Sequence, residues 1–167
     1  MKFRASLATG GIPNRVLIYR ANEYSFDVTP SASDAFASAL LDDLNLELDV
    51  NGKVVSIWGM CPHTRWKEAA LSPPSAIFGE VYFVPDTPLV RGVSTRLNND
   101  KKYRPVLVDL AAGWVCVQGE GAAASSVKIL PGVIIEITAQ GDLCALWLKP
   151  DSFPELAYRA SPVAKRR

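Results

Sequence analysis

The sequence predicts a mainly β protein, an antiparallel sandwich or partly open barrel of roughly eight to ten strands with one short helix near residues 31–43. Two observations predict this fold class. Short apolar or alternating runs recur along the chain between turn residues, and residues 44–50 alternate apolar and polar without a break. Helical patterns do not alternate with the strand patterns, which argues against parallel βαβ units.

One segment carries a helix pattern. Pro30 suits the first position of a helix, where its missing N–H is not needed, and Ser31 is the alternative N-cap. Phe36 and Leu40 lie four residues apart, as on one face of a helix. The helix is therefore expected over residues 31–43.

Residues 44–58 carry the clearest hairpin pattern. Asn51-Gly52 separates two strand-like runs, and this dipeptide favours a two-residue type I′ turn. The register that follows from such a turn places Trp58 on the more polar face of the hairpin. The opposite, buried face is predicted to carry Leu46, Leu48, Val55 and Ile57. Further hairpins are predicted at residues 16–28, 105–118 and 133–148.

Two parts of the chain resemble each other. The pattern of residues 44–58 recurs further along, so that Glu47 and Trp58 correspond to Glu136 and Trp147 at an offset of 89 residues. An upstream pair of hairpin patterns aligns at an offset of 90. An internal duplication would relate the halves by a pseudo-two-fold axis and make the two Glu–Trp pairs equivalent sites. The alternative is that antiparallel hairpins resemble one another because their patterning is alike.

Length and composition bound the class of protein. The 167 residues suit a single β-rich domain over residues 1–157, followed by a basic tail at residues 158–167. The net charge of +1 argues against a nucleic-acid partner. No apolar run approaches the roughly 20 residues of a membrane-spanning helix, so no membrane association is expected. Three cysteines, an odd number at low density, are typical of free thiols in a reducing compartment, so a cytoplasmic location is predicted.

Catalytic chemistry has few candidates. His63 is the single histidine, so any reaction that needs an imidazole depends on it. Cys61 lies two residues away, which makes His63 and Cys61 weak catalytic candidates. A Cys-x-His spacing is not that of a known metal site, so no metal is expected. Residues 119–124 fit the letters of a dinucleotide-binding motif, but the flanking strand patterns leave too little room for the required helix, and no cofactor is expected.

The small size of the chain and the elimination of catalytic and cofactor motifs favour an interaction protein that binds through an aromatic-rich face. We expect a non-enzymatic protein-binding module, such as a small cytoplasmic inhibitor or immunity-type protein, whose partner is another protein. Tryptophan is enriched at such interfaces. The expected binding residues are Trp58, Trp66, Arg65, Trp147, Glu47 and Glu136. The alternative is a small-molecule-binding protein or enzyme with a pocket around Cys61, His63, Arg65 and Trp66.

Overall fold

Strands dominate the computed structural model, which describes residues 2–8, 10–98 and 102–152. The predicted basic tail at residues 158–167 lies outside the described residues. Single turns of 3-10 helix occur at Ala21–Glu23 and His63–Arg65. In chain order the strands are β1 (Lys2–Leu7), β2 (Val16–Arg20), β3 (Ser25–Thr29), β4 (Ala37–Leu41), β5 (Leu44–Leu48), β6 (Val54–Met60), β7 (Lys67–Glu68), β8 (Ile77–Val84), β9 (Ser94–Arg96), β10 (Val106–Asp109), β11 (Trp114–Gln118), β12 (Ala123–Leu130), β13 (Val133–Thr138) and β14 (Leu143–Leu148).

Two sheets pack against each other and bury one core between them. The six-stranded sheet has the order β2-β3-β6-β5-β4-β9, and the eight-stranded sheet has the order β1-β8-β12-β13-β14-β11-β10-β7. The mainly β, sandwich-like fold is therefore confirmed. Most pairs are antiparallel, but β4 with β9, β8 with β12 and β7 with β10 are parallel, so both sheets are mixed.

The helix predicted over residues 31–43 is wrong, because Ala37–Leu41 forms β4 and Asp42-Asp43 forms the turn into β5. Alternate residues of β4 are buried, which is a period of two and not of 3.6. The strand pairs with β5 on one side and β9 on the other. Hydrogen bonds from both neighbours outweigh the local helix pattern, which a single stretch of sequence does not reveal.

The two sheets share a strand order. The order β2-β3-β6-β5-β4 in one matches β10-β11-β14-β13-β12 in the other, with strands taken in chain order in each half. Left-handed backbone occurs at matching positions, since Tyr24 and Gly113 have φ of 55° and 76°, and Gly52 and Gly141 have φ of 84° and 86°. Both pairs are 89 residues apart, so the upstream hairpins align at this offset and not at 90. Common origin of the halves stays a prediction.

The turn between β5 and β6 has three residues and not the predicted two. Only Gly52 has a positive φ, whereas a type I′ turn would require one at Asn51 too. The Asp49 N–H donates to the Lys53 carbonyl at 2.9 Å, and Asp49 Oδ1 accepts the N–H groups of Asn51 and Lys53. The extra residue places Val54 opposite Leu48, so Val54 and not Val55 joins the buried face.

The predicted core face of this hairpin is otherwise confirmed. Leu46, Leu48 and Ile57 are fully buried, and Leu46 pairs with Ile57 as the register required. Asn45 pairs with Trp58, which puts the tryptophan on the outer face of the sheet.

Gly52 also joins the two sheets. Its carbonyl accepts the Phe83 N–H at 2.8 Å, and the Gly141 carbonyl accepts the Phe3 N–H at 2.7 Å in the matching position. Phe3 and Phe83 pair directly across β1 and β8, with ring centroids 5.3 Å apart. A Cβ on Gly52 would lie 2.5 Å from the Phe83 carbonyl oxygen, so only glycine fits this approach.

We expect Gly52→Ala to lower the free energy of unfolding by more than about 2 kcal/mol, because the methyl group meets the backbone as well as an unfavourable φ. Gly92→Ala is the matched control, since Gly92 has a φ of 73° with nothing within 4 Å of its Cβ. The control should lose about 1 kcal/mol, from the φ effect alone. Denaturant unfolding of both variants measures the difference, and equal losses would contradict the proposed contact between the sheets.

Candidate binding surface

The outer face of the six-stranded sheet exposes a tryptophan. Trp58 is 46% exposed, and Met60 beside it on β6 is also exposed. Residues alternate along a strand, so the buried Ile57 points into the core and its neighbour points out. β6 pairs with β3 on one side and β5 on the other, which holds the strand that carries Trp58 in place.

Trp58 borders an open depression of about 710 Å³ that is rich in carboxylates. We call this the open face. Arg20 Nη1 forms an ion pair with Asp27 Oδ2 at 2.7 Å within it. The depression is therefore acidic overall, because its other lining carboxylates outnumber its basic groups. Its charged lining residues are Arg20, Glu23, Asp27, Asp43 and Glu47.

Glu47 is the carboxylate most closely associated with Trp58. Partial burial raises the pKa of the Glu47 carboxyl, while the Ser56 and Trp58 side chains and the Arg15 guanidinium oppose that rise. Asp27 adds to it by charge repulsion. Arg15 is held by the sheet itself, since its Nη2 donates to Ser56 Oγ at 3.0 Å and its Nη1 donates to the Val55 carbonyl.

The eight-stranded sheet carries the matching pair on its own outer face. Trp147 Nε1 donates to Glu136 Oε2 at 3.0 Å, and Ser126 Oγ donates to Glu136 Oε1 at 3.2 Å. Here the tryptophan is only 9% exposed, because Leu71 and Ala76 pack on the surrounding apolar cluster. The same Glu–Trp arrangement is therefore covered on one sheet and open on the other.

Cys61 and His63, the weak catalytic candidates, lie in the buried cluster around Tyr19. The Tyr19 hydroxyl donates to the Cys61 carbonyl at 2.9 Å, accepts the His63 N–H at 3.0 Å and lies 3.3 Å from His63 Nδ1. Trp66 Nε1 donates to Cys61 Sγ at 3.4 Å. Burial raises the pKa of the Cys61 thiol to about 11 and lowers the pKa of His63. Both shifts favour the uncharged forms, which suit a structural role.

The alternative pocket is not assembled as one cavity. Cys61 and Arg65 line a cavity of about 130 Å³, whereas His63 and Trp66 do not line it. Ligand sites of enzymes commonly have volumes of about 300–1,000 Å³. Arg65 lies at the surface with its guanidinium 4.5 Å from the Tyr103 ring centroid. Trp66 is only 4% exposed, so it fills the core and offers no surface to a partner.

The sequence predicts Trp58 and Glu47 as binding residues but not several other residues of the open face. Asp27 and Arg20 project outward because they alternate with buried residues of β2 and β3, a pattern that the sequence does contain. Asp43 and Arg15 come from a turn and from the segment before β2, and their place at this face depends on the fold. Within residues 2–8, 10–98 and 102–152, no group of three His, Cys, Asp or Glu side chains could hold a metal ion.

Comparison with known proteins assigns the chain to no family. No protein-family model matches the chain, and no curated protein matches it significantly in sequence. Among the described residues, no helix has the length and apolar character needed to cross a membrane.

We expect the Cys61 thiol to react slowly with a thiol-specific reagent such as Ellman's reagent in the native protein at about pH 8. With a pKa of about 11, only roughly a thousandth of the thiol would be ionised there. The faster native reaction should belong to Cys144, because it is partly exposed, although burial and Glu136 raise the pKa of its thiol too. Cys144→Ser should abolish the fast phase and Cys61→Ser should leave it unchanged. A fast phase lost in Cys61→Ser would instead indicate an accessible, activated nucleophile.

Glu47 predicts a pH dependence of stability. Its folded-state pKa lies above the ordinary value of 4.5, so folding favours the protonated carboxyl. Its contribution to stability is therefore complete below about pH 4.5 and falls as the pH rises through the folded-state pKa. In unfolding titrations, the wild-type protein should lose stability relative to Glu47→Gln as the pH rises through the folded-state pKa of Glu47.

A direct measurement is the carboxyl carbon shift of Glu47 followed by NMR against pH. The titration should give a pKa above 4.5, and Arg15→Gln should raise it further because Arg15 favours the carboxylate. A midpoint at or below 4.5 would contradict the half-buried environment of Glu47.

Proposed function

We propose that this chain is a non-enzymatic protein-binding module whose binding surface is the open face around Trp58. One observation carries the proposal: Trp58 is 46% exposed beside a half-buried carboxylate, whereas the corresponding Glu–Trp pair on the eight-stranded sheet is covered. Tryptophan is among the residues that contribute most to protein–protein affinity when a partner buries it.

The backbone of the open face supports the proposal, because it is ordered before any partner binds. Trp58 stands on β6, which is paired on both sides, and Arg15 holds the adjacent Val55 and Ser56. A surface with few groups left to immobilise binds with a smaller entropic cost. The polar groups around the indole keep the open face compatible with water when it is free, as in interfaces that form reversibly.

The buried cluster of Cys61 and His63 also supports a non-enzymatic role. Its polar atoms form hydrogen bonds with Tyr19 and Trp66 in the core. Burial shifts the pKa values of Cys61 and His63 in the directions that favour the uncharged forms. A small module that presents one rigid surface to another protein would suit an inhibitor or immunity-type role. That finer assignment is part of the proposal.

The test is a binding measurement with a matched surface variant. Tagged wild-type chain would be used to isolate and identify a partner from the source cells, and the purified partner would then be titrated by calorimetry. Trp58→Ala should weaken the affinity at least about tenfold, because truncating a hot-spot tryptophan costs more than about 1.4 kcal/mol. Leu7→Ala, at an exposed apolar residue on β1, should change the affinity less than about twofold. An unchanged affinity in Trp58→Ala would contradict the proposal.

A further inference from the structure

On the outer face of the eight-stranded sheet, a segment of the chain itself covers the pair of Glu136 and Trp147. Residues 69–76 run over the outer face of the eight-stranded sheet without forming a helix or strand. The Ala69 N–H donates to the Val108 carbonyl at 2.9 Å, and the Leu71 N–H donates to Asp109 Oδ2 at 3.0 Å. Leu71 and Ala76 pack on the cluster that contains Trp147.

The middle of that segment is Ser72-Pro73-Pro74-Ser75. Proline fixes φ and has no N–H to satisfy, so consecutive prolines keep a segment extended at little entropic cost. Grooves lined by aromatic side chains are a common receptor for such segments. The chain thus provides its own example of a proline-containing segment that covers a tryptophan, with Leu71 and Ala76 making the apolar contacts.

The open face has the same central pair with more polar surroundings. Trp114 and Cys116, which lie beside Trp147, correspond to Ser25 and Asp27 at the offset of 89 residues. Likewise Ile134 and Ala145 correspond to Asn45 and Ser56. An occupant of the open face therefore meets one large apolar side chain, Trp58, among polar groups.

The charge of the open face further restricts the chemistry of the segment that could bind there. Four carboxylates line the depression, those of Glu23, Asp27, Asp43 and Glu47, while Arg20 is its one basic lining residue. Arg20 is already paired with Asp27, and Arg15, which does not line the depression, partly offsets the charge of Glu47. A basic group on the occupant would compensate the remaining carboxylates, whereas an acidic group would be repelled.

We propose that the open face binds an extended, proline-containing segment of a partner protein that carries a basic residue near the proline. The proline or a neighbouring aliphatic side chain packs on the Trp58 indole, and the basic residue lies beside Glu47 and Asp43. This inference rests on the proposed function and specifies the chemistry of the partner.

The test uses three synthetic peptides and the full chain. The first has the sequence KLSPPSK, which is the chain's own residues 71–75 flanked by lysines. The second, ELSPPSE, reverses the charge, and the third, KLSAASK, removes the prolines. Binding is followed by NMR at low salt through the indole N–H signals of Trp58 and Trp147, with Trp58→Phe used to assign the former.

KLSPPSK should shift the Trp58 signal in a saturable way and leave the Trp147 signal unchanged. Both ELSPPSE and KLSAASK should bind at least about fivefold more weakly, and added salt should weaken the binding of KLSPPSK. Glu47→Gln should weaken KLSPPSK severalfold, whereas Glu120→Gln, at an exposed carboxylate elsewhere, should not. Equal binding of the three peptides, or no shift at Trp58, would overturn the inference.

Other occupants give different results. A Trp58 signal that shifts with protein concentration alone would indicate a second copy of the chain. Peptide binding that appears only when residues 153–167 are deleted would indicate the chain's own terminus. Either result overturns the inference. A natural partner that needs Trp58 but is not displaced by KLSPPSK would overturn the inference while leaving the proposed function standing.

Discussion

Burial of one face of each sheet against the other determines the direction of almost every side chain in the sandwich. Ile57 and Leu46 are fully buried between the sheets, so the residues next to them in the chain must point outward. Trp58 is exposed for that reason and not because of its own preference. A one-residue change in register would exchange the two faces, and the bulge at Val55, which has no partner on β5, absorbs the extra turn residue without such a change.

A glutamate beside a tryptophan occurs on both outer faces, and its two environments differ in a physically informative way. On the eight-stranded sheet the Glu136 carboxylate accepts hydrogen bonds from Trp147 and Ser126 under a cover of apolar side chains. On the six-stranded sheet Glu47 is half-buried without a comparable cover, and its pKa is raised. A partner that covered Trp58 would bury this carboxylate further, and a positive group or hydrogen-bond donors on the partner would offset the cost of that burial.

The Tyr19 cluster illustrates how buried polar groups can resemble a catalytic site without its geometry. A cysteine and a histidine two residues apart suggest a nucleophile and a base. In the fold, the thiol accepts a hydrogen bond from Trp66 and the imidazole lies against Tyr19 and Tyr24. These contacts hold the segment after β6 onto the core, which also positions the strand that carries Trp58.

The sequence by itself determined the period-two patterning, and with it the β class, the outward direction of Trp58 and the recurrence of the Glu–Trp pair. These are properties of neighbouring residues on one strand or hairpin, where alternation and turn residues act locally. The tertiary structure alone decided that residues 37–41 form a strand, since hydrogen bonds from β5 and β9 compete with the local helix pattern. It also decided that Trp66 is core, that residues 69–76 cover Trp147 and that Asp43 and Arg15 reach the face of Trp58. Such placements depend on contacts between segments distant in the chain, which no local pattern encodes.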